Sequence, residues 1–472
     1  MAMAVAHEQQ QRAVATTSPP PPLLRVLDTT LVPPSPSFGP VPQERSLPLT
    51  FFDLIWLRLP PVERLFLYRL APDADVPAIL TNLKDALSHA IRAFYPLVGR
   101  LRLTPGTSDR YELHYRPGDG VAFTVAEYDG GADGVDGLAT DEPREAARMA
   151  PLVPSLPAGG DVLALQATLL LPARRGLAIG VAVHHAAVDG ASSTHFLHTW
   201  AAAARARTVV PPVIDRSLLP DAFFQAASTT NEMELVEMPA GQLLATFTLS
   251  KDAVQRVKGV VATVAARRGV APPRCTSLVA TLGFVWSCYQ RAKEAPSSTA
   301  LTASTSGDDN RTCLLFPVDH RARMKPPLPD KYLGNCVGPA FALARKDELA
   351  AGGAGGLLSA CAAIAAGIDE AVSGVGTASM DTWADRAKEV AGAMSVLSVA
   401  GSPRFRVYEL DLGFGRPAKV DMVSVARTGA VAVAESRRGA GGMEVGVSLP
   451  PDGLGRFRTC FADAVAGLHA QS

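Results

Sequence analysis

The chain has 472 residues, of which 47% are hydrophobic, and its 45 basic and 45 acidic side chains give a formal net charge of zero. This length predicts two or three domains with well-filled hydrophobic cores. A balanced charge provides no global field that would hold the chain on nucleic acid or on an anionic membrane. We therefore expect neither as a partner, and we expect any anionic ligand to be bound by a local cluster.

The sequence also indicates a cellular compartment. Its six cysteines include no Cys-x-x-Cys pair and no zinc-like spacing with histidine, which favours reduced thiols in a cytoplasmic protein. Residues 1–22 are polar and proline-rich, so we expect a disordered segment and not a secretory signal. No stretch approaches the roughly 20 uninterrupted apolar residues of a membrane span, and nothing in the sequence indicates more than a monomer.

From about Leu23 the sequence predicts alternating strands and helices that form an N-terminal domain over 23–206. Apolar residues at helical spacing predict a helix over 76–95, which ends before Pro96. The remaining predicted elements of this half are strands at 110–115, 121–127, 162–171 and 177–184 and a helix at 191–205.

Periodicity is lost over 207–241, a proline-containing stretch that is predicted to be a crossover linker. A C-terminal domain over 242–472 follows, in which Ser250 is expected to cap a helix. Its predicted strands lie at 243–249, 312–318, 404–411, 420–426, 429–435 and 443–449, with a hairpin turn at 427–429; its predicted helices lie at 251–267, 276–291, within 350–367, and at 452–468. The two halves therefore predict α/β domains of similar size with a cleft between them.

The most informative stretch is residues 184–190, His-His-Ala-Ala-Val-Asp-Gly, which follows an apolar strand. An imidazole can accept and return a proton within one turnover because its pKa lies near neutrality. Period-2 alternation places His184 on the opposite face from His185, so we interpret His184 as structural. Asp189, four residues after His185, is close enough in the chain to hold the turn or the ring.

Motifs for other chemistries are missing from the sequence. His185, Asp189 and His195 match no common zinc spacing, and His195 and His198 are interpreted as packing or surface residues, so no metal is expected. The chain has no Gly-x-Ser-x-Gly elbow, no phosphate-binding loop and no dinucleotide fingerprint. A histidine without nucleophile, metal or cofactor motif favours direct general-base catalysis, in which a hydroxyl or amine of the substrate attacks.

Two further stretches carry distinctive residues. Residues 411–417, Asp-Leu-Gly-Phe-Gly-Arg-Pro, predict a tight loop after a strand. Residues 317–327 include three cations, which suit either phosphate binding or a solvated basic loop: Arg321, Arg323 and Lys325. The block Tyr332-Leu333-Gly334-Asn335-Cys336 follows shortly after.

Together these stretches resemble the plant BAHD acyl-CoA-dependent acyltransferases, whose markers are His-x-x-x-Asp near mid-chain and Asp-Phe-Gly-Trp-Gly near the C-terminus. The resemblance covers nearly the whole chain from about Leu23, and it includes the Arg416-Pro417 continuation and Leu47-Pro48-Leu49-Thr50-Phe51-Phe52-Asp53. Residues 332–336 are similar to the Tyr-Phe-Gly-Asn-Cys signature of one subgroup, typified by anthocyanin and phenolic-glucoside malonyltransferases.

The resemblance implies two chloramphenicol-acetyltransferase-like α/β domains, with mixed sheets flanked by helices and a solvent channel between them. His185 would be the general base in that channel, deprotonating an acceptor hydroxyl that attacks the thioester without a covalent acyl-enzyme. The resemblance also implies acyl-CoA, and malonyl-CoA in particular, as the co-substrate. It implies no tightly bound cofactor, and it points to a sugar hydroxyl of a phenolic or flavonoid glucoside as the acceptor.

The resemblance assigns further roles. Structural support of the site is assigned to Asp189, Gly190, Asp411, Gly413, Gly415, Arg321 and Arg323, with Arg321 or Arg323 expected to pair with Asp411. The substrate and acyl-CoA channel is expected to include Phe414, Tyr332, Asn335 and Lys325. Phe414 stands where the family has tryptophan and Leu412 where it has phenylalanine, so this chain lacks an indole N–H donor at position 414.

Other functions stay open at this point. The donor could be a hydroxycinnamoyl or other aromatic acyl-CoA, and the acceptor an alcohol or an amine such as a polyamine. Malonyl use requires a cation near the acyl carboxylate, whereas an aromatic donor requires an apolar slot. A hypothesis of another class, a catalytically silent relative that binds a ligand through the same channel, is supported only by the change at Phe414.

Overall fold

A computed structural model describes residues 24–38, 42–129, 133–172, 175–224, 238–294, 310–351, 353–373 and 377–470. The segment 1–22, expected to be disordered, lies outside the described residues. So does part of the expected linker, residues 225–237.

The strands of the described chain are, in order, β1 (Leu24–Val32), β2 (Arg45–Pro48), β3 (Val62–Arg69), β4 (Arg100–Leu103), β5 (Tyr111–Tyr115), β6 (Val121–Asp129), β7 (Arg144–Glu145), β8 (Leu163–Leu171), β9 (Gly176–Val183), β10 (Leu243–Leu249), β11 (Arg311–Asp319), β12 (Val337–Arg345), β13 (Ser395–Gly401), β14 (Lys419–Met422), β15 (Val431–Glu435) and β16 (Met443–Leu449).

The α-helices are α1 (Phe51–Leu54), α2 (Val76–Ala93), α3 (Gly134–Leu138), α4 (Ala146–Met149), α5 (Gly190–Ala204), α6 (Lys251–Arg267), α7 (Ser277–Glu294), α8 (Lys346–Ala350), α9 (Gly353–Ser373), α10 (Thr377–Ala393), α11 (Val425–Thr428) and α12 (Pro451–Ala470). Ser250 caps α6 as predicted, because its side chain accepts a hydrogen bond from the Ala253 N–H.

The described strands form two large mixed sheets and one small sheet. The first large sheet has the order β1-β6-β8-β9-β3-β14, with β6 and β8 parallel and the other pairs antiparallel. The second has the order β12-β11-β13-β15-β16-β10-β7, and the antiparallel β2-β5-β4 sheet completes the fold. Helices α2 and α5 pack on the first large sheet, and α6, α7, α9 and α12 pack on the second. The predicted fold class, mixed sheets flanked by helices, is confirmed.

Each half of the sequence contributes one strand to the sheet of the other half. Strand β14 pairs with β3 in the first sheet, where Val420 faces Phe66. Strand β7 pairs with β10 in the second sheet, where Arg144 faces Leu244. The division predicted at 207–241 therefore separates the sequence into two parts but does not separate the sheets.

A buried ion pair joins these two exchanged strands. Arg144 of β7 donates from Nη1 and Nη2 to the carboxylate of Asp421 in β14 over 2.6 and 3.0 Å. Burial by itself would raise the pKa of Asp421, but the charges of Arg144 and of the neighbouring Lys419 lower it to about 2. The junction of the sheets is therefore held by charge as well as by strand pairing.

Two of the predicted elements of the C-terminal half are wrong. Residues 427–429 do not form a hairpin, because the helical turn α11 ends at Gly429, with φ +68°, and separates β14 in one sheet from β15 in the other. Residues 404–411 form no strand in the described structure. The strand lies earlier, as β13, and 3₁₀ turns at Pro403–Phe405 and Val407–Glu409 follow it.

Helix α9 is the one helix of the described chain that is long and apolar enough to cross a membrane, and half of its most apolar stretch is buried inside the protein. Its buried residues belong to the core of the second sheet: Leu357, Leu358, Cys361 and Ile364. An apolar composition of this kind is also typical of a helix buried in the hydrophobic core of a protein.

Candidate active site

The histidine pair lies in a turn between β9 and α5. Strand β9 ends at Val183, and the His184 N–H continues the pairing by donating to the Val162 carbonyl over 2.8 Å. The His184 carbonyl then accepts from the Ala187 N–H at 3.0 Å, and its Nδ1 lies 3.2 Å from the Ala186 N–H. Burial and the neighbouring His185 lower the pKa of His184 to about 4. His184 is therefore occupied in forming the turn.

His185 is half-buried, and its ring stacks on Trp56, with ring centroids 3.9 Å apart and planes 11° from parallel. Its Nδ1 atom is enclosed and has no hydrogen-bond partner among the described residues. No residue of the described chain hydrogen-bonds to Nε2 either. Because Nδ1 is enclosed, Nε2 is the ring nitrogen that remains available to a bound substrate.

The surroundings of His185 favour its neutral form. Burial lowers its pKa below the ordinary histidine value, and the positive charge of Arg64 lowers it further. The carbonyl group of His185 itself, the Asp189 carboxylate and the Asn335 side chain act in the opposite direction. At neutral pH the imidazole is therefore unprotonated and able to accept a proton.

Asp189 is buried and holds the start of α5. Its Oδ1 accepts from the Ser192 N–H at 2.9 Å and so caps the helix. Its Oδ2 lies 2.8 Å from Nη1 of Arg321 and accepts from the Cys336 N–H at 3.1 Å. The carboxylate oxygens are thus turned toward the helix and the C-terminal half of the chain, and no hydrogen bond joins them to the imidazole within the described structure.

Arg321 binds several groups besides Asp189. Its Nη2 donates to the Ser192 hydroxyl at 3.1 Å and to the Gly334 carbonyl at 3.0 Å. The expectation that Arg321 or Arg323 pairs with Asp411 is wrong. Arg321 lies against the first turn of α5, and Arg323 is exposed and donates to the Asp319 carbonyl over 2.5 Å.

Asp411 lies at the other end of α5. Its Oδ2 is 3.1 Å from the guanidinium of Arg205, which ends that helix. Its Oδ1 accepts the N–H groups of Gly413 and Gly415 at 2.9 and 3.1 Å. Both glycines have φ near +100°, a conformation that residues with a Cβ atom rarely adopt. The backbone of this loop therefore favours glycine at both positions.

Phe414 does not line the site around His185, contrary to expectation. Its ring packs edge-on against Tyr68 at 4.9 Å, and its neighbour Gly413 lies beside the Ala204 carbonyl at the end of α5. A helix of 15 residues spans about 22 Å, so this loop lies far from the imidazole at the other end. The lost indole N–H donor therefore does not face the reacting group.

Tyr332 and Asn335 are also not channel residues, because both are almost fully buried. The Asn335 Nδ2 atom donates to the His185 carbonyl at 2.8 Å and to the carboxylate of Asp53 at 2.9 Å. The Tyr332 hydroxyl binds the guanidinium of Arg216. These residues hold the backbone around His185. Lys325 lies on an exposed loop, and its role in binding substrate stays a prediction.

Gly190 is required by close packing. A Cβ atom at this position would lie 2.4 Å from Cζ of Phe405. The segment from Phe405 to Gly413 thus follows α5 from its first residue to its last turn.

Three residues near the site were not assigned a role from the sequence. Asp53 accepts from the Thr50 N–H and hydroxyl at 2.8 Å each, and it binds Asn335, so it connects α1 to the turn of His185. Trp56 covers one face of the imidazole. Arg64 acts on the imidazole through its charge. The sequence signal for Asp53 and Trp56 was the apolar and aromatic stretch that begins at Leu47 and contains both residues.

The chain is similar to known proteins over most of its length. The model of the Transferase family matches residues 26–463. Phenolic glucoside malonyltransferase 1 from Arabidopsis thaliana is 32% identical, over 90% of this chain and 94% of its own length. Coumaroyl-CoA:anthocyanidin 3-O-glucoside-6''-O-coumaroyltransferase 1 from the same plant is 29% identical, over 88% of this chain and 92% of its own length.

The fold is shared with solved structures. Vinorine synthase superposes with a TM-score of 0.68 at 19% identity, covering 92% of this chain and 96% of the other. At 19% identity this similarity shows the fold alone. The family model and the relative at 32% identity show the family to which the chain belongs. The chain belongs to the Transferase family, the BAHD acyltransferases, and is an acyl-transferring enzyme.

Proposed function

We propose that this enzyme transfers an acyl group from an acyl-CoA thioester to a hydroxyl group of a small-molecule acceptor, with Nε2 of His185 as the general base. The observation that carries the proposal is the state of the imidazole. The residue is half-buried, the pKa of its imidazole is lowered, Nδ1 is enclosed, and no residue of the described chain hydrogen-bonds to Nε2.

The reaction then follows in two steps. Nε2 removes the proton of the acceptor hydroxyl as its oxygen attacks the thioester carbonyl, which forms the new C–O bond and a tetrahedral intermediate. The intermediate collapses, the C–S bond breaks, and the imidazolium returns its proton to the CoA thiolate. Asp189 takes no part in the chemistry, because its oxygens are already bound by Ser192, Cys336 and Arg321.

The acyl group is proposed to be malonyl, and the acceptor a sugar hydroxyl of a phenolic or flavonoid glucoside. The support is the name of the relative at 32% identity, together with the Tyr332–Cys336 block. An aromatic acyl donor is the second candidate, because a coumaroyltransferase is similar at 29% identity.

Replacing His185 with glutamine should lower kcat for acyl transfer by about 10²- to 10⁴-fold, the usual contribution of a general base. Release of CoA thiol from the purified enzyme measures the rate, and circular dichroism checks the fold. The matched control is His195→Gln, because His195 packs against Phe94 and its Nε2 lies 2.9 Å from the Val210 carbonyl. Near-normal turnover by His185→Gln would disprove the mechanism.

The dependence of kcat/KM on pH should have an acid limb with its midpoint below about 6.5. Only neutral His185 can accept the proton, and its pKa is lowered in the folded enzyme. The rate should therefore rise with pH through that pKa and reach a plateau near pH 7. Initial rates between pH 5 and 8 at low substrate measure this limb. A midpoint above about pH 7 would contradict the lowered pKa.

Asp189→Asn should destabilise the protein more than Asp411→Asn. The first change removes the buried carboxylate of Arg321 and leaves it only the exposed Asp319, whose Oδ1 lies 3.3 Å from Nη1, which costs about 3–5 kcal/mol of unfolding free energy. The Asp411–Arg205 pair is partly exposed, so its loss should cost about 1 kcal/mol or less. Urea unfolding of both variants measures the difference. Equal losses would show that the Asp189–Arg321 pair does not support the site in this way.

An assay of several donors with one phenolic glucoside should separate the two donor classes. We expect kcat/KM to be about tenfold or more higher with malonyl-CoA than with coumaroyl-CoA. The matching aglycone, which lacks the sugar hydroxyls, serves as the acceptor control and should not be acylated. A preference for coumaroyl-CoA would replace the malonyl proposal with the aromatic one.

A further inference from the structure

Arg64 differs from the other buried arginines of the described chain. Four arginines are almost fully buried there: Arg64, Arg144, Arg216 and Arg321. The last three have a carboxylate oxygen at 2.6, 3.5 and 2.8 Å, from Asp421, Asp53 and Asp189 respectively. Within the described residues Arg64 forms no ion pair.

The groups that contact Arg64 are neutral. Its Nη1 donates to the Thr194 hydroxyl at 3.1 Å and its Nη2 to the Ser193 hydroxyl at 3.0 Å, both in the first turn of α5. The Phe405 ring centroid lies 5.8 Å from the guanidinium carbon. A guanidinium has five N–H donors, so donors remain after both hydroxyls are bound. Burial of a cation without a counter-charge is costly, and an anion that accepts from the remaining donors would offset this cost.

The region around Arg64 carries an excess of positive charge. The N-terminus of α5 adds the positive end of a helix dipole. Asp189 acts on Arg64 through its charge, but its carboxylate is already in contact with Arg321. Burial lowers the pKa of Arg64 to about 10, so the side chain still carries its charge at neutral pH.

Arg64 is also close enough to the catalytic ring for its charge to act there. It lies on β3, opposite Val181 of β9, the strand that leads into His185. Its positive charge contributes to the lowered pKa of that imidazole. A negative group bound at Arg64 would therefore lie near the reacting thioester.

We propose that Arg64 binds the free carboxylate of the acyl group on the CoA thioester and so selects malonyl over acetyl and aromatic acyl groups. This inference rests on the acyl transfer proposed above. In a malonyl thioester one CH₂ separates the carboxylate from the reacting carbonyl, so a cation that recognises it must lie beside the general base. Guanidinium and carboxylate groups form strong, directed hydrogen bonds.

The test compares malonyl-CoA with acetyl-CoA, which differ only in the carboxylate, using one neutral glucoside as the acceptor. Arg64→Gln should lower the ratio of kcat/KM for malonyl-CoA to kcat/KM for acetyl-CoA by about 10- to 100-fold. The ratio is measured at about pH 8, where His185 is neutral with or without the charge of Arg64. Arg64→Lys keeps the charge and should give a malonyl-CoA to acetyl-CoA ratio between those of the wild type and Arg64→Gln. It replaces the glutamine variant in the test if that variant does not fold. The matched control is Arg69→Gln on the same strand, whose exposed side chain pairs with Asp136 and which should leave the ratio unchanged.

The outcomes separate this inference from the proposed function. If the wild-type enzyme releases no thiol from any acyl-CoA, the proposed function fails and the inference fails with it. If the wild-type enzyme is active and Arg64→Gln lowers kcat/KM for both donors equally, or for neither, the inference alone is overturned. A third arm pairs acetyl-CoA with a glucuronide acceptor. If Arg64→Gln lowers kcat/KM only with the glucuronide, the carboxylate that Arg64 binds belongs to the acceptor, and the assignment to the donor is overturned.

Discussion

The geometry of the site depends on the buried contact between Asp189 and Arg321. One carboxylate caps α5, binds the guanidinium 2.8 Å away and accepts the Cys336 N–H. It therefore fixes where the strand of His185 ends and which part of the C-terminal half faces it. Further hydrogen bonds offset part of the cost of burying an ion pair, and here Nη2 of Arg321 also donates to the Ser192 hydroxyl and to the Gly334 carbonyl. Asp189 thus acts on His185 through the backbone.

Helix α5 connects two stretches that are distant in the sequence. Asp189 holds its first turn, and Asp411 holds its last residue through Arg205. The chain from Phe405 to Gly413 runs along the helix between these ends, so closely that Gly190 has no room for a Cβ atom. The helix that follows the turn of His185 is thereby fixed at both termini by segments of the other half of the sequence. A loop far from His185 contributes to the site through this helix and not through contact with substrate.

The sequence was sufficient for features that depend on neighbouring residues. The strand before His185, the helix after Asp189 and the cap at Ser250 follow from local periodicity and capping, and the structure has all three. Features that depend on distant pairing were missed or wrong. Residues 427–429 have the composition of a hairpin turn, but the strands on either side enter different sheets. Arg321 or Arg323 was expected to pair with Asp411, and Phe414 was expected to line the substrate channel. Neither expectation matches the structure, because sequence order does not reveal which end of a helix a loop will reach. Trp56 and Arg64 lie more than a hundred residues before His185, and only the folded chain brings them to it.

The exchange of β14 and β7 between the two large sheets limits how this enzyme can move. Many two-domain enzymes close on their ligands by rotation about a flexible connection. Here such a rotation would have to break ladder hydrogen bonds in both sheets and separate Arg144 from Asp421 in a dry interior. The positions of the two halves around His185 are consequently fixed before a ligand binds. Selectivity among ligands would then come from the side chains around His185 and not from rotation of one half of the protein against the other.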